Sequence, residues 1–128
     1  MNTRRARIIA VCLIGTFIVT RLMLHQSPDS DFDLFGYNIH HLFTGLILIV
    51  GGGLPLALFP GRTIILDIAA IAFGTGLSLA LDEWVYLIAT DGSNASYLLP
   101  VSLRGGIVMV ALAALYLAVL YMVSRRNS

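Results

Sequence analysis

The chain has 128 residues, of which 58% are apolar, with a mean hydropathy of +0.88 and a formal net charge of +1. A soluble domain of this length has too little interior to bury that much apolar surface, so the composition excludes an ordinary globular protein. We expect the lipid bilayer to cover the apolar surface, and we expect no nucleic-acid partner.

Four apolar stretches of the sequence are long enough to cross a bilayer. They comprise residues 8–24, 39–59, 64–84 and 103–123, each near the ~20 residues that a hydrocarbon core requires. Because these spans and their short connections use almost every residue, no soluble domain remains. We therefore predict one all-α domain over residues 1–128, an up-down-up-down bundle of four transmembrane helices.

The arginines indicate the orientation of the chain in the membrane. All eight Lys/Arg residues are arginine, and six of them share one side if the spans alternate: Arg4, Arg5, Arg7, Arg62, Arg125 and Arg126. The opposite side receives acidic residues: Asp29, Asp31, Asp33 and Asp91. The positive-inside rule then predicts a multi-pass protein of the inner (plasma) membrane with both termini in the cytoplasm.

The first span is interpreted as an uncleaved helix, because no small-x-small cleavage site follows it. Polar Arg21 and His25 interrupt its outer end. The aspartates that begin at Asp29 have the spacing of the start of a calcium loop, but the glycine that such a loop needs is missing. We therefore expect a solvated outer loop.

The second span contains the segment Gly51–Pro55, in which three glycines precede a leucine and a proline. Proline cannot donate a hydrogen bond to the preceding turn, and glycine lowers the cost of bending, so a kink or a short unwound stretch is predicted. Broken helices can line ion sites, whereas glycines also allow helices to approach closely. The lack of a charged residue at that depth favours close packing.

The third span has small residues at every fourth position on two nearly opposite faces. One row is Ala70, Gly74 and Ser78, and the other is Ala72, Gly76 and Ala80. A helix that can be approached closely on both sides is predicted to lie at the centre of the bundle. Asp82 continues the first row and Glu83 falls near the second, so these carboxylates should point to different neighbours.

Two ionisable pairs are predicted to lie at the same depth. The pairs His40-His41 and Asp82-Glu83 lie about 20 residues before and after the turn at residues 60–63, which places both ~30 Å from it. Ionisable groups at the rim of a membrane span are costly, so a matched set is a candidate functional site. An interfacial aromatic belt is predicted at the same level: Tyr37, Trp84, Tyr86 and Tyr97.

The leading hypothesis is that this outer cluster binds a metal or another ion. The cluster comprises four candidate ligands and three supporting residues: His40, His41, Asp82, Glu83, Arg104, Arg21 and His25. Imidazole and carboxylate groups suit zinc or iron, although the sequence identifies no cofactor. Arg104, counted to the same depth, would neutralise excess carboxylate charge.

Two other hypotheses stay open. In one, the protein is a structural or accessory subunit of a larger membrane complex, or a homo-oligomer, and the outer cluster is an interhelical polar staple. Such contacts contribute roughly 0.6–2 kcal/mol each. In the other, the protein is an enzyme that acts on a lipid head group, which Arg104 and Arg21 would hold by its phosphate or carboxylate.

Two motifs carry a resemblance to a known family. Ile39-His40-His41-Leu42-Phe43-x-Gly45 opens one span, and Leu81-Asp82-Glu83-Trp84 closes the next. Over residues 36–90 the chain resembles a family of small, functionally uncharacterised prokaryotic integral membrane proteins. The resemblance implies a four-helix membrane fold and supplies no activity.

Overall fold

The computed structural model describes residues 1–26, 32–34 and 37–127 of the chain. Four long helices and one short helix account for most of them: α1 (Thr3–Gln26), α2 (His41–Leu58), α3 (Ile64–Ala89), α4 (Asn94–Tyr97) and α5 (Pro100–Arg126). Two three-residue strands, β1 (Phe32–Leu34) and β2 (Tyr37–Ile39), pair antiparallel between α1 and α2. Asp29 and Asp31 of the predicted calcium-like loop lie outside the described residues.

The four long helices are each long and apolar enough to cross a membrane. Many of their large apolar side chains face outward, and Ile47 and Ile88 are 74% and 75% exposed. A soluble bundle would bury such side chains, whereas the hydrocarbon core of a bilayer accommodates them. The prediction of four apolar helices of spanning length is therefore confirmed. The paired strands β1 and β2 are an addition to the all-α fold that was predicted.

Local signals set the length of α3. The side-chain oxygen of Thr63 caps its first turn by accepting a hydrogen bond from the Leu66 N–H at 3.3 Å. The helix continues to Ala89, whereas the hydropathy pattern predicted an end at residue 84. The two carboxylates of the outer cluster therefore lie inside a regular helix, with more than a full turn after them.

Helix α2 is continuous through the segment Gly51–Pro55, and no unwound stretch occurs within that segment. Gly52 is instead a point of close approach to α3, because a methyl group there would overlap the carbonyl oxygen of Ala69. The glycines thus serve close packing, which is the alternative that the sequence favoured. A bend at Pro55 stays a prediction.

Helix α3 lies between the other three long helices, as its two rows of small residues predicted. Gly76 faces α2, where an added methyl group would lie 2.5 Å from the carbonyl oxygen of Gly45. Gly74 faces α1, where the same group would lie 2.9 Å from the Cβ of Cys12. Glycine therefore allows close backbone contact on both faces. Contacting positions run in opposite order along α2 and α3.

One end of the bundle is rich in arginine, and we call it the arginine end. It carries Arg4, Arg5, Arg7, Arg62, Arg125 and Arg126. Arg4 pairs with Asp67 in the first turn of α3 at 2.7 Å, and Arg5 donates a hydrogen bond to the carbonyl oxygen of Gly61 in the α2–α3 turn. These contacts join the start of α1 to the start of α3.

Candidate functional site

The outer cluster divides into two groups, and the first is centred on a buried ion pair. Asp82 is 1% exposed, and its Oδ1 lies 2.6 Å from the Nε of Arg21. The Tyr97 hydroxyl donates a hydrogen bond to the other carboxylate oxygen, Oδ2. Both oxygens of Asp82 are therefore bound by protein groups, and α1, α3 and α4 meet at this point.

Arg21 makes several further contacts that compensate for its burial. Its Nη2 donates to the carbonyl oxygen and the hydroxyl of Ser102, each at 3.1 Å, and to the carbonyl oxygen of Asp82 at 3.3 Å. Its Nη1 donates to the Tyr97 carbonyl oxygen at 3.3 Å, and its guanidinium lies 4.0 Å from the centre of the Tyr97 ring. We call Arg21, Asp82, Tyr97 and Ser102 the Arg21–Asp82 network. Its many bonds offset the cost of burying two charges.

A glycine at the start of α5 makes room for this network. A methyl group at Gly106 would lie 2.8 Å from Oδ1 of Asp82 and 3.0 Å from Nη2 of Arg21. Any larger residue would therefore displace one partner of the ion pair. The glycine is required by the polar contact rather than by its own backbone conformation.

The loop before α4 positions Tyr97. Ser93 accepts a hydrogen bond from the Ser96 N–H at 3.2 Å, while Asp91 accepts from the Ser96 hydroxyl and from the Ser93 N–H. The Ser96 hydroxyl, followed by the Ser93 N–H, lowers the pKa of Asp91 to about 2. Burial and the nearby charge of Asp82 raise the pKa of the Tyr97 phenol above its usual range, so the phenol stays a hydrogen-bond donor.

The second group joins α3 to the start of α2. Glu83 is 4% exposed, and its Oε2 accepts a hydrogen bond from the Leu42 N–H at 2.8 Å. The residue at the N-cap position of α2, His40, makes no side-chain capping bond. Glu83 therefore caps α2 from a neighbouring helix, with its negative charge at the positive end of the helix dipole.

Two histidines lie beside the same carboxylate, and we call Glu83, His40 and His41 the Glu83–histidine group. The Nδ1 atoms of His40 and His41 lie 3.8 and 3.9 Å from Oε1 of Glu83, too far for direct hydrogen bonds. The Nδ1 of His41 is buried and has no hydrogen-bond partner among the described residues. The His40 ring lies 6.0 Å from Tyr86, and the His41 ring lies 6.4 Å from Tyr97.

The structure thus brings together five of the seven residues predicted for the outer cluster: Arg21 with Asp82, and His40 and His41 with Glu83. Arg104 and His25 are exposed. In the described part of the chain, the guanidinium that pairs with Asp82 is that of Arg21 rather than Arg104. The two carboxylates point to different helices, as their adjacent positions predicted.

Three contributions to the cluster were not predicted from the sequence. Tyr97 was assigned to an interfacial belt, whereas its side chain is 6% exposed and bound to Asp82. Ser102 and the backbone N–H of Leu42 were not considered. The sequence offers one signal for the contact at Leu42: no Ser, Thr, Asp or Asn occupies the N-cap position of α2. The first N–H groups of α2 therefore need an acceptor from elsewhere in the protein.

Metal-binding side chains were considered over the part of the chain that the structure describes. No group of three or more His, Cys, Asp or Glu side chains within the described ranges is arranged to hold a metal ion. The Nδ1 atoms of His40 and His41 approach Glu83 at 3.8 and 3.9 Å. The carboxylate oxygens of Asp82 are bound to Arg21 and Tyr97.

Comparison of the chain with protein-family models, with curated proteins and with solved structures gave no match in any of the three. Function is therefore inferred from the geometry of the outer cluster.

Proposed function

We propose that the chain is an up-down-up-down, four-span protein of the inner membrane with both termini in the cytoplasm. The arginine end carries six of the eight arginines, and the positive-inside rule favours the cytoplasmic side for it. The resemblance to small prokaryotic integral membrane proteins implies a four-helix membrane fold. A reporter fused after Arg126 should read cytoplasmic, and one inserted at Asp91 should read periplasmic. A periplasmic reading after Arg126 would contradict this topology.

Within this topology we infer a structural role, as an accessory subunit of a membrane complex. The observation that carries it is that protein groups bind both charged groups of the Arg21–Asp82 network. Both carboxylate oxygens of Asp82 and all three nitrogens of the Arg21 guanidinium are bound by protein groups. A site for chemistry or transport keeps such groups open to a ligand, whereas a polar staple uses them to hold helices together.

The outer face of α2 is the surface that we propose for the partner subunit. This helix packs chiefly against α3 and leaves a stripe of large apolar residues exposed at helical spacing: Ile47, Val50, Leu54 and Leu58. Their exposed fractions are 74%, 58%, 56% and 70%. A transmembrane helix of a partner subunit could pack on such a stripe in the ridge-and-groove manner of membrane bundles.

A matched pair of substitutions tests this role. The tagged chain, expressed at its natural level, is extracted with its surrounding lipid and sized, and co-purifying subunits are quantified. Val50→Trp, on the stripe, should disrupt the complex, while Val108→Trp, on α5 and similarly exposed at 54%, should leave it intact. Recovery of the unaltered chain without a stoichiometric partner, or equal effects of both substitutions, would contradict the accessory role.

A second candidate function is the binding of a cation by the Glu83–histidine group. It is favoured by the buried Nδ1 of His41, which lacks a hydrogen-bond partner among the described residues, and by the approach of both imidazoles to Glu83. Zinc or iron would suit these ligands after small side-chain movements. A head-group enzyme has less support, because the Arg21 guanidinium that would hold the head group is bound to Asp82.

Metal content distinguishes the two candidates. If the group binds a cation, purified protein in chelator-free detergent should carry stoichiometric zinc or iron, and the added ion should raise its melting temperature. His41→Ala and Glu83→Gln should lose both effects, whereas Asp82→Asn should keep binding because Asp82 belongs to the other network. The cation hypothesis is wrong if the unaltered protein holds no metal and no divalent ion stabilises it.

A further inference from the structure

A groove separates α1 from α5 near the arginine end. It has a volume of about 310 Å³ and is lined by alanines of both helices: Ala6, Ala10, Ala114 and Ala118. Ile14 and Leu117 complete its apolar wall. Small residues four positions apart ordinarily allow two helices to pack closely, yet here the two alanine rows line an open groove. Its apolar wall suits a hydrocarbon chain.

Positive charge lies where the groove reaches the arginine end. Arg7 and Tyr121 line the groove, and the guanidinium of Arg125 lies 5.9 Å from the centre of the Tyr121 ring. Both arginines are exposed. Among the described residues, the carboxylate at this end, Asp67, pairs with Arg4, and no carboxylate pairs with Arg7 or Arg125. The apolar groove therefore ends in positive charge that the described protein groups leave uncompensated.

We propose that this groove binds an anionic phospholipid from the leaflet at the arginine end. One acyl chain lies between the alanine rows, and Arg7 and Arg125 bind the head-group phosphate. Guanidinium groups donate paired hydrogen bonds to phosphate oxygens, and basic pockets between spans suit anionic head groups.

The lipid would complement the polar contact that already joins these two helices. At the opposite end, Arg21 of α1 is hydrogen-bonded to Ser102 of α5. At the arginine end α1 is bound to α3 and to the α2–α3 turn, through Arg4 and Arg5. A bound lipid would add a second connection between α1 and α5, at the arginine end. This inference does not depend on the accessory role proposed above.

Native mass spectrometry of the purified full-length chain tests the head-group contact. The chain is titrated with phosphatidylglycerol or with phosphatidylcholine of the same acyl chains. One phosphatidylglycerol should be retained in preference to phosphatidylcholine. Arg7→Gln and Arg125→Gln should each weaken the retention of phosphatidylglycerol about fivefold, because one arginine contributes about 1 kcal/mol to binding at an anionic surface. Arg62→Gln, an exposed arginine of the same end that does not line the groove, should have no effect.

A second pair of variants tests the acyl chain. Ala118→Leu adds a side chain to an exposed position on the groove and should abolish retention of the lipid, while Ala57→Leu, at an exposed position of α2 that does not line the groove, should preserve it. Gel filtration confirms that each variant is folded. The proposal is overturned by equal retention of phosphatidylcholine, by equal effects of Arg62→Gln and Arg7→Gln, or by unchanged retention in Ala118→Leu. Displacement by glycerol phosphate as effective as that by the whole lipid would also overturn it, because the acyl chain would then contribute nothing.

Discussion

Replacement of Asp82 by asparagine should destabilise the protein far more than the same change at Asp67. Both aspartates lie on α3 and pair with an arginine of α1, at 2.6 Å for Arg21–Asp82 and 2.7 Å for Arg4–Asp67. The pairs differ in burial, since the Arg21 side chain is 12% exposed and the Arg4 side chain is 67% exposed. The two substitutions therefore compare a buried and an exposed ion pair between the same two helices.

The expected magnitudes follow from this difference in burial. Asparagine removes the negative charge and leaves the buried guanidinium of Arg21 without a counter-charge, a change that costs about 3–5 kcal/mol. The amide oxygen can still accept the Tyr97 hydrogen bond, so we expect about 3 kcal/mol for Asp82→Asn. An exposed pair contributes up to ~1 kcal/mol, so Asp67→Asn should cost at most that amount.

Equilibrium unfolding of the purified protein in mixed micelles measures both free energies, with far-UV circular dichroism as the signal. Equal losses of stability in Asp82→Asn and Asp67→Asn would refute the reasoning. A double variant gives a further check, because Arg21→Met together with Asp82→Leu removes both buried charges. It should be more stable than either single variant, since no uncompensated charge remains.

Three further predictions concern packing, the histidines and the α4 loop. Gly76→Leu should cost more than about 2 kcal/mol of unfolding free energy because it forces α2 away from α3, whereas Gly51→Leu, which has open space around it, should be nearly neutral in the same micelle assay. In a background without native cysteine, cysteines that replace His41 and Glu83 should crosslink with a short bifunctional reagent faster than cysteines that replace His41 and Asp82. A faster reaction of the pair at 41 and 82 would contradict the conclusion that the two carboxylates point to different helices. The pKa of Asp91 is depressed to about 2, so Asp91 stabilises the folded protein above pH 4, and this contribution is lost as the pH falls towards 2. The substitution Asp91→Asn should therefore reduce the pH dependence of the unfolding free energy in this range.

The features of the fold that depend on periodicity were predictable from the sequence. Hydropathy alone located the four spans. The rows containing Gly74 and Gly76 placed α3 at the centre, because residues four apart lie on one face of any α-helix. The same geometry predicted that Asp82 and Glu83 would point to different neighbours, and they do.

The choice between arginines was not predictable by the same means. Counting residues gives a depth and no rotation about the helix axis, and depth alone led to Arg104 as the residue that neutralises the carboxylate charge. The Arg21–Asp82 pair depends on which faces of α1 and α3 meet, a tertiary property. Tyr97 reaches the pair only because a hydrogen-bonded loop, which hydropathy does not describe, orients α4.

Two ion pairs, Arg4–Asp67 and Arg21–Asp82, join α1 to α3. The number of residues between the two arginines is therefore constrained. Arg4 and Arg21 lie ~25 Å apart along α1, and their partners Asp67 and Asp82 lie ~22 Å apart along α3 at ~1.5 Å per residue. The long arginine side chains absorb the small mismatch. Deletion of one residue between the two arginines would turn one relative to the other by ~100°, so that only one ion pair could form. The segment of α1 between Arg4 and Arg21 should therefore tolerate substitutions, whereas an insertion or a deletion within it should break one of the two ion pairs.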